Sequence, residues 1–285
     1  MRYIDFLREC AKENESIVCV GLDPVVDRIP ISGSPEKAIT EFYSVMLDAF
    51  KSEALLPGAV KPNYAYYAQY GFQGLRALKK VIEKAKHYNI PVILDAKRGD
   101  IGKSSAAYAV ECFEFWEADA VTISPYMGTD SVMPFVEWCG EKGKGVYVLN
   151  RTSNAGAKDL QDLQDADGNK IYDKVSGLIV EWGANARGTV GAVVGATSLD
   201  ELGEIAKFYA LRGSPVPFLI PGVGSQGGSA QEAVNALKNA RQELAIHRIN
   251  SSSGINYAYE KDDSDFAEAA VRALKQLNEE IGEIE

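Results

Sequence analysis

The 285-residue chain has only two histidines, His87 and His247, and neither has a metal-ligand partner at fixed spacing. That argues against an imidazole zinc site and leaves a Ser-His-Asp or Cys-His mechanism without an evident base. His87 lies among Lys84, Lys86 and Tyr88 near an expected helix end, and His247 lies in a short apolar run. The four cysteines, Cys10, Cys19, Cys112 and Cys139, form no Cys-x-x-Cys pair. They read as small core hydrophobes in a reducing compartment. No apolar run reaches the roughly 18 residues of a membrane span, and the segment Met1-Arg2-Tyr3-Ile4-Asp5-Phe6 lacks a signal-peptide core. The expectation is a cytoplasmic protein with no membrane and no metal. The net charge of −10 offers no basic face for general nucleic-acid binding, although a few local cations suffice for a small anionic ligand. Acid–base chemistry is left to lysine and aspartate.

What the chain has is alternation. At 46% hydrophobic and 25% charged it has an ordinary globular composition and can bury a large core without staples. Apolar strand-like runs occur at 17–22, 58–61, 92–95, 120–124, 145–149, 190–195, 218–220 and 244–250. Amphipathic stretches at 36–51, 74–88, 104–116, 131–140, 198–211, 231–242 and 264–281 lie between and after them, the last with Ser264 as its expected N-cap. Short, continuously apolar strands suit a parallel sheet covered on both faces. Eight such units predict an α/β fold, a (β/α)8 TIM barrel forming one domain over 1–285. The runner-up, a doubly wound sheet, wants a Gly-x-Gly-x-x-Gly turn after the first strand, and Gly21-Leu22-Asp23-Pro24 is not one. A polar segment at about 155–175 reads as an insertion after the fifth strand. Its Asp165-Ala166-Asp167-Gly168-Asn169 lacks full calcium-loop spacing and suits a hairpin turn.

The most informative stretch is 91–104, Pro-Val-Ile-Leu-Asp-Ala-Lys-Arg-Gly-Asp-Ile-Gly-Lys-Ser. Residues two apart on a strand share a face, so Asp95 and Lys97 project together, and Gly99 allows a turn that carries Asp100 away from them. A carboxylate beside Lys97 favours its ammonium form. Such a lysine is a poor nucleophile and a good proton donor to a carbanion. The same triplet also suits a solvated ion-pair cluster on a loop. Its place at the end of an apolar strand, where barrels keep their sites, favours chemistry.

The other expected strand ends converge on the same mouth. The first gives Asp23, the second Lys61 and the fifth Thr152-Ser153. The seventh gives Pro221-Gly222-Val223-Gly224-Ser225-Gln226-Gly227-Gly228, and the eighth Asn250-Ser251-Ser252-Ser253-Gly254. Gly- and Ser-rich loops that precede helices bring backbone N–H groups close to an anion, and barrels often bind phosphate at these two loops.

With those motifs in this order, the chain resembles orotidine 5′-phosphate decarboxylase of the longer bacterial subfamily over nearly its whole length. The segments that carry the resemblance are 94–101 (Leu-Asp-Ala-Lys-Arg-Gly-Asp-Ile), Gly21-Leu22-Asp23-Pro24, Val60-Lys61-Pro62-Asn63, Thr152-Ser153-Asn154 and the 221–228 loop. The resemblance implies a cofactor-free homodimer with shared active sites that makes uridine 5′-phosphate from orotidine 5′-phosphate. Lys61, Asp95 and Lys97 would come from one subunit, and Asp100, Ile101 and Ser104 from the other. Ser104 stands where the family usually has threonine. Asp23 and Lys61 would bind ribose hydroxyls, Ser153 and Pro221 would face the pyrimidine, and Gln226 with the backbone at Gly254 would hold the phosphate.

One departure stands out. The family reads Asn-Ser-Ser-Arg-Gly at the end of the eighth strand, with that arginine on the phosphate; here the position is Ser253. Serine cannot replace a bidentate charged fork. Arg248 is an odd number of residues away and is not counted as compensation. Two alternatives remain at this level: an impaired relative that binds nucleotide without turnover, and a metal-dependent sugar-phosphate decarboxylase built on a similar Asp-x-Lys-x-x-Asp strand.

Overall fold

Strand parity organises the molecule. The computed structural model describes residues 1–224, 227–261 and 264–284. Its eight parallel strands are β1 (Val18–Leu22), β2 (Ala59–Pro62), β3 (Ile93–Arg98), β4 (Ala120–Ile123), β5 (Gly145–Arg151), β6 (Thr189–Val194), β7 (Phe218–Ile220) and β8 (Arg248–Ser251). They form one sheet in the order β2-β1-β8-β7-β6-β5-β4-β3. Parallel bridges Val60–Val92 and Asn63–Asp95 bring the two ends together, so the sheet closes as a (β/α)8 barrel. Cys19, Ala59, Ile93, Ala120, Tyr147, Val193 and Leu219 pack inside it. Their strand neighbours, including Val18, Val20, Leu94, Val121, Val148 and Ile220, pack outward in the larger core beneath the helices. The continuous apolar runs follow from this, because both faces of every strand are covered.

The helices are α1 (Tyr3–Glu13), α2 (Pro35–Ser52), α3 (Tyr64–Ala68), α4 (Gly71–His87), α5 (Gly102–Val110), α6 (Thr129–Lys142), α7 (Ile171–Ala186), α8 (Leu199–Leu211), α9 (Ala230–Asn239), α10 (Ser253–Asn256) and α11 (Phe266–Ile281). Local chemistry sets their ends. Ser34 Oγ accepts from Lys37 N at 3.3 Å ahead of Pro35 at the first turn of α2. The cap of α11 is Asp265, whose carboxylate accepts from Ala267 and Glu268 N–H, and not Ser264; a carboxylate adds favourable charge at the helix N-terminus. The stretch 104–116 is not one regular helix, because α5 passes into a π-helical turn at Glu111–Phe115. The run at 244–250 is also divided: Leu244–Ile246 form a 3-10 turn and β8 begins only at Arg248. Residues 155–159 form another 3-10 turn, and a Gln164–Lys170 antiparallel bridge closes the polar segment that follows. Among the described residues no helix is long and apolar enough to cross a membrane.

Helix α1, absent from the strand–helix alternation, plugs the barrel floor. Tyr3 stands edge-on to Tyr147, with ring centroids 6.0 Å apart. Gly145 permits this, since a Cβ there would lie 2.2 Å from the Tyr3 ring. The fully buried Arg248 spans the same floor, donating to the carbonyls of Gly58, Leu7, Ala245 and His247. It is therefore far from serving an anion at the mouth. His247 is fully buried and Nδ1 accepts from Phe218 N at 3.0 Å. Burial, with Arg248 beside it, drives its pKa down to about 3.

This histidine makes stability acid-sensitive. The unfolded chain takes up a proton below about 6.5 and the folded one only near 3, so stability falls as pH drops through that window. Thermal unfolding between pH 7 and 4 should show the decline, with a shallower slope in His247→Gln.

Candidate active site

Moving two residues toward the C-terminal end of a strand keeps the same face. From the apolar interior layer this step leads from Ala59 to Lys61, from Ile93 to Asp95 and from Ala120 to Thr122. The interior thus changes from apolar floor to polar mouth within one layer. Asp95 is the hub. Lys97 Nζ lies 2.7 Å from its Oδ1 and Lys61 Nζ 3.0 Å from its Oδ2. Thr122 Oγ1 donates to Oδ1 at 2.8 Å and accepts from Lys97 N–H at 3.0 Å. Asp95 and Lys61 are buried, whereas the Lys97 side chain is 51% exposed at the cavity.

Burial alone would raise the Asp95 pKa, but the two ammoniums overcome it and hold the carboxylate well below its ordinary range. Burial would likewise neutralise Lys61; Asp95 and then Asp23 overcome it and hold it above the usual lysine value. The backbone pays for this aim at Lys97, which has φ of 45° in the left-handed region that non-glycine residues seldom occupy. The β3–β4 register shifts between Leu94 and Arg98, and this bulge re-aims the chain. Arg98 pins the far side, paired to Glu111 at 2.7 Å and set between the rings of Tyr64 and Tyr108.

A cavity of 700 Å³ opens above the hub. Of the residues expected from sequence, Asp23, Lys61, Asp95, Lys97, Ser153, Pro221 and Ser253 line it. Asp23 Oδ1 is buried without a hydrogen-bond partner among the described residues, on a side chain that borders the cavity. Gly254 lines an adjoining cavity with Val223 and Gly228, and Gln226 lies outside the described residues. Asp100, Ile101 and Ser104 do not line the chain's own cavity. Asp100 Oδ1 caps Ile101 N at 2.8 Å, and Ile101 is 59% exposed.

Thr122, Leu149, Val193, Leu219 and Gln161 line or support the site with no sequence motif to mark them. Thr122 was within reach of strand parity, being two residues beyond interior Ala120. Leu149, Val193 and Leu219 form an apolar bed, and Asn250 donates to Cys19 O at 2.9 Å. Gln161 clamps the end of β5, accepting from Thr152 N at 2.9 Å and donating to its Oγ1 at 2.7 Å; no local pattern marks that contact. Gly21 also shapes the mouth, because a Cβ there would stand 1.8 Å from Ser252 Oγ. The whole arrangement offers a proton donor beside a fixed anion, an apolar bed for a flat ring, and a Gly/Ser-rich end for an anionic tail.

The chain is similar to known proteins over nearly its whole length. The model of the "Orotidine 5'-phosphate decarboxylase / HUMPS family" matches residues 16–278. The orotidine 5′-phosphate decarboxylase of Azoarcus sp. is 44% identical over 99% of this chain and 98% of its own. That of Haloarcula marismortui is 40% identical over 99% of both. Among solved structures, the Leishmania donovani OMP decarboxylase superposes with a TM-score of 0.77 at 33% identity, covering 99% of each chain. A Toxoplasma gondii structure described as a putative orotidine-monophosphate-decarboxylase gives a TM-score of 0.83 at 28% identity, covering 98% of this chain and 96% of that one.

Thr122→Val removes one partner from Asp95 and one from the Lys97 N–H in a single step. It should cost about 1–3 kcal/mol, read as a lower denaturation midpoint at unchanged m-value.

Proposed function

The chain belongs to the orotidine 5′-phosphate decarboxylase / HUMPS family and is a decarboxylase of pyrimidine biosynthesis; on that premise we propose that Lys97 is the proton donor that turns orotidine 5′-phosphate into uridine 5′-phosphate. The carrying observation is the Lys61–Asp95–Lys97 network at the floor of the cavity. The C6–carboxylate bond breaks, CO2 leaves, and the electron pair stays in an in-plane orbital on C6 with no adjacent π sink. A fixed ammonium where that charge develops stabilises the carbanion. Lys97 then transfers one proton to C6 and is reprotonated from solvent. Asp95 faces the departing carboxylate, and this like-charge contact weakens as CO2 forms. Asp95 also holds Lys97 against Lys61, so the donor does not search for its position.

Asp23 and Lys61, which both line the cavity, take ribose hydroxyls. Ser153 and Pro221 border the pyrimidine over Leu149, Val193 and Leu219. Phosphate goes to the Gly/Ser-rich end, where Gly222, Val223, Ser252 and Ser253 line the cavity, with Gln226 and the backbone at Gly254 also assigned to it. No cofactor takes part.

The working unit is a homodimer with shared sites. Its support is that Asp100, Ile101 and Ser104 follow directly on the hub strand yet lie outside the chain's own cavity. Ile101, Tyr108, Val110, Phe115, Tyr126 and Met127 leave exposed apolar surface on the segments after β3 and β4, as a subunit interface requires. The partner subunit's Asp100 would complete the Asp95–Lys97 pair. A cytoplasmic location accords with four free, buried thiols.

Loss of orotidine 5′-phosphate absorbance in the presence of chelator tests the reaction. Turnover is expected; its absence in folded protein would remove the reading, and inhibition by chelator would favour a metal-dependent lyase. Lys97→Ala should abolish turnover while still binding uridine 5′-phosphate. Mixing Lys97→Ala with Asp100→Ala subunits should restore part of the activity, since one hybrid site is intact. Verified heterodimers without activity would refute shared sites.

A further inference from the structure

Three cations and two carboxylates line the 700 Å³ cavity: Lys61, Lys97 and Arg28 against Asp23 and Asp95. In a chain of net charge −10 the lining itself carries one more cation than carboxylate, with Glu260 paired to Arg28 from outside it. Lys61 and Lys97 are both committed to Asp95. Arg28, on the 3-10 turn Val26–Arg28 after β1, is the remaining cation among the described lining residues. It stands on the β1–β8 side. Its guanidinium carbon lies 3.7 Å over the ring of Tyr257. The backbone fixes that ring: Tyr257 OH donates to Asp23 O at 3.1 Å and accepts from Val25 N at 2.8 Å. Tyr257 N donates to Ser253 O at 3.1 Å, which ties the platform to the serine-rich end of the cavity.

The guanidinium is also held edge-on. Arg28 Nε donates to Glu260 Oε1 at 2.8 Å and Nη2 to Oε2 at 2.6 Å. That bond uses one edge of a five-donor fork. The Nη1 edge donates to nothing among the described residues, and the side chain is 39% exposed. An arginine stacked on an aromatic ring and locked by a carboxylate has already lost its rotamer freedom, so a second oxyanion meets a preorganised donor pair.

We propose that Arg28 is a substrate-binding residue whose free edge receives the 5′-phosphate, supplying from the β1 loop the charged contact that Ser253 cannot give from β8. The inference rests on the reading of this cavity as the nucleotide site. A phosphate dianion gains more from a fixed guanidinium than from serine hydroxyls and backbone N–H groups alone. Glu260, outside the cavity, keeps the fork oriented when no phosphate is bound.

Calorimetric titration of uridine 5′-phosphate and of uridine into the wild type, Arg28→Ala and Arg28→Lys tests this. Arg28→Ala should weaken uridine 5′-phosphate binding by about tenfold to a hundredfold, the range for a charged hydrogen bond, and leave uridine within twofold. Arg28→Lys, which keeps the charge without the fork, should fall between. KM for orotidine 5′-phosphate should rise in parallel, with kcat changed far less. Equal losses for nucleotide and nucleoside would reduce Arg28 to a prop for Tyr257 and overturn the proposal, as would unchanged nucleotide affinity. Folded wild type that binds no uridine 5′-phosphate would instead overturn the reading of the cavity on which the proposal rests.

Discussion

The buried carboxylate of Asp95 is the constraint on which the rest of the site depends. An ionised carboxylate at this depth is costly unless paired and fully hydrogen-bonded. Asp95 meets that demand with Lys61, Lys97 and Thr122, drawn from three neighbouring strands. Those partners fix the relative positions of the ends of β2, β3 and β4. They also account for the left-handed backbone at Lys97. An ordinary strand conformation carries the side chain elsewhere, and the hydroxyl of Thr122 holds the N–H that the unusual conformation presents.

The opposite end of the barrel lets this polar cluster exist. Tyr3, Tyr147 and Arg248 fill the floor, so the interior is packed below the mouth and sealed from the far side. Arg248 is another buried charge, but it is satisfied entirely by carbonyl groups. One barrel thus holds two arginine solutions: a structural one at the floor, and at the mouth one locked between Tyr257 and Glu260 with an edge left open. Function follows from the gradient between these ends. Apolar Leu149, Val193 and Leu219, the Lys97 ammonium and the Gly/Ser-rich ends of β7 and β8 all border the one cavity between them.

Much of this was legible in the chain. Eight apolar runs alternating with amphipathic ones specify the barrel, because parallel strands covered on both faces must be apolar throughout. The pair Asp95 and Lys97, the strand-end residues Asp23 and Lys61, and the Gly/Ser-rich loops could be read locally, since parity and turn chemistry act over a few residues. Helix α1 and helix α7 escaped the alternation. The Asp265 cap displaced the expected Ser264 because either residue can cap and only the turn geometry decides between them. The start of β8 moved because Leu244–Ile246 is as apolar as a strand, and apolarity alone does not distinguish a buried turn from a buried strand.

The sequence by itself determined the fold class, the family and the pairing of Asp95 with Lys97, all of which depend on short-range spacing. Tertiary structure alone decided the partners. Thr122 joins Asp95 across 27 positions, Gly58 and Leu7 receive the guanidinium of Arg248, and Glu260 fixes Arg28 from 232 positions away. Pairings of that kind arise from barrel closure, which brings together strand ends that no local pattern relates. Hence the sequence could name Ser253 as a missing charge, while only the folded chain brings Arg28 into the lining of the same cavity.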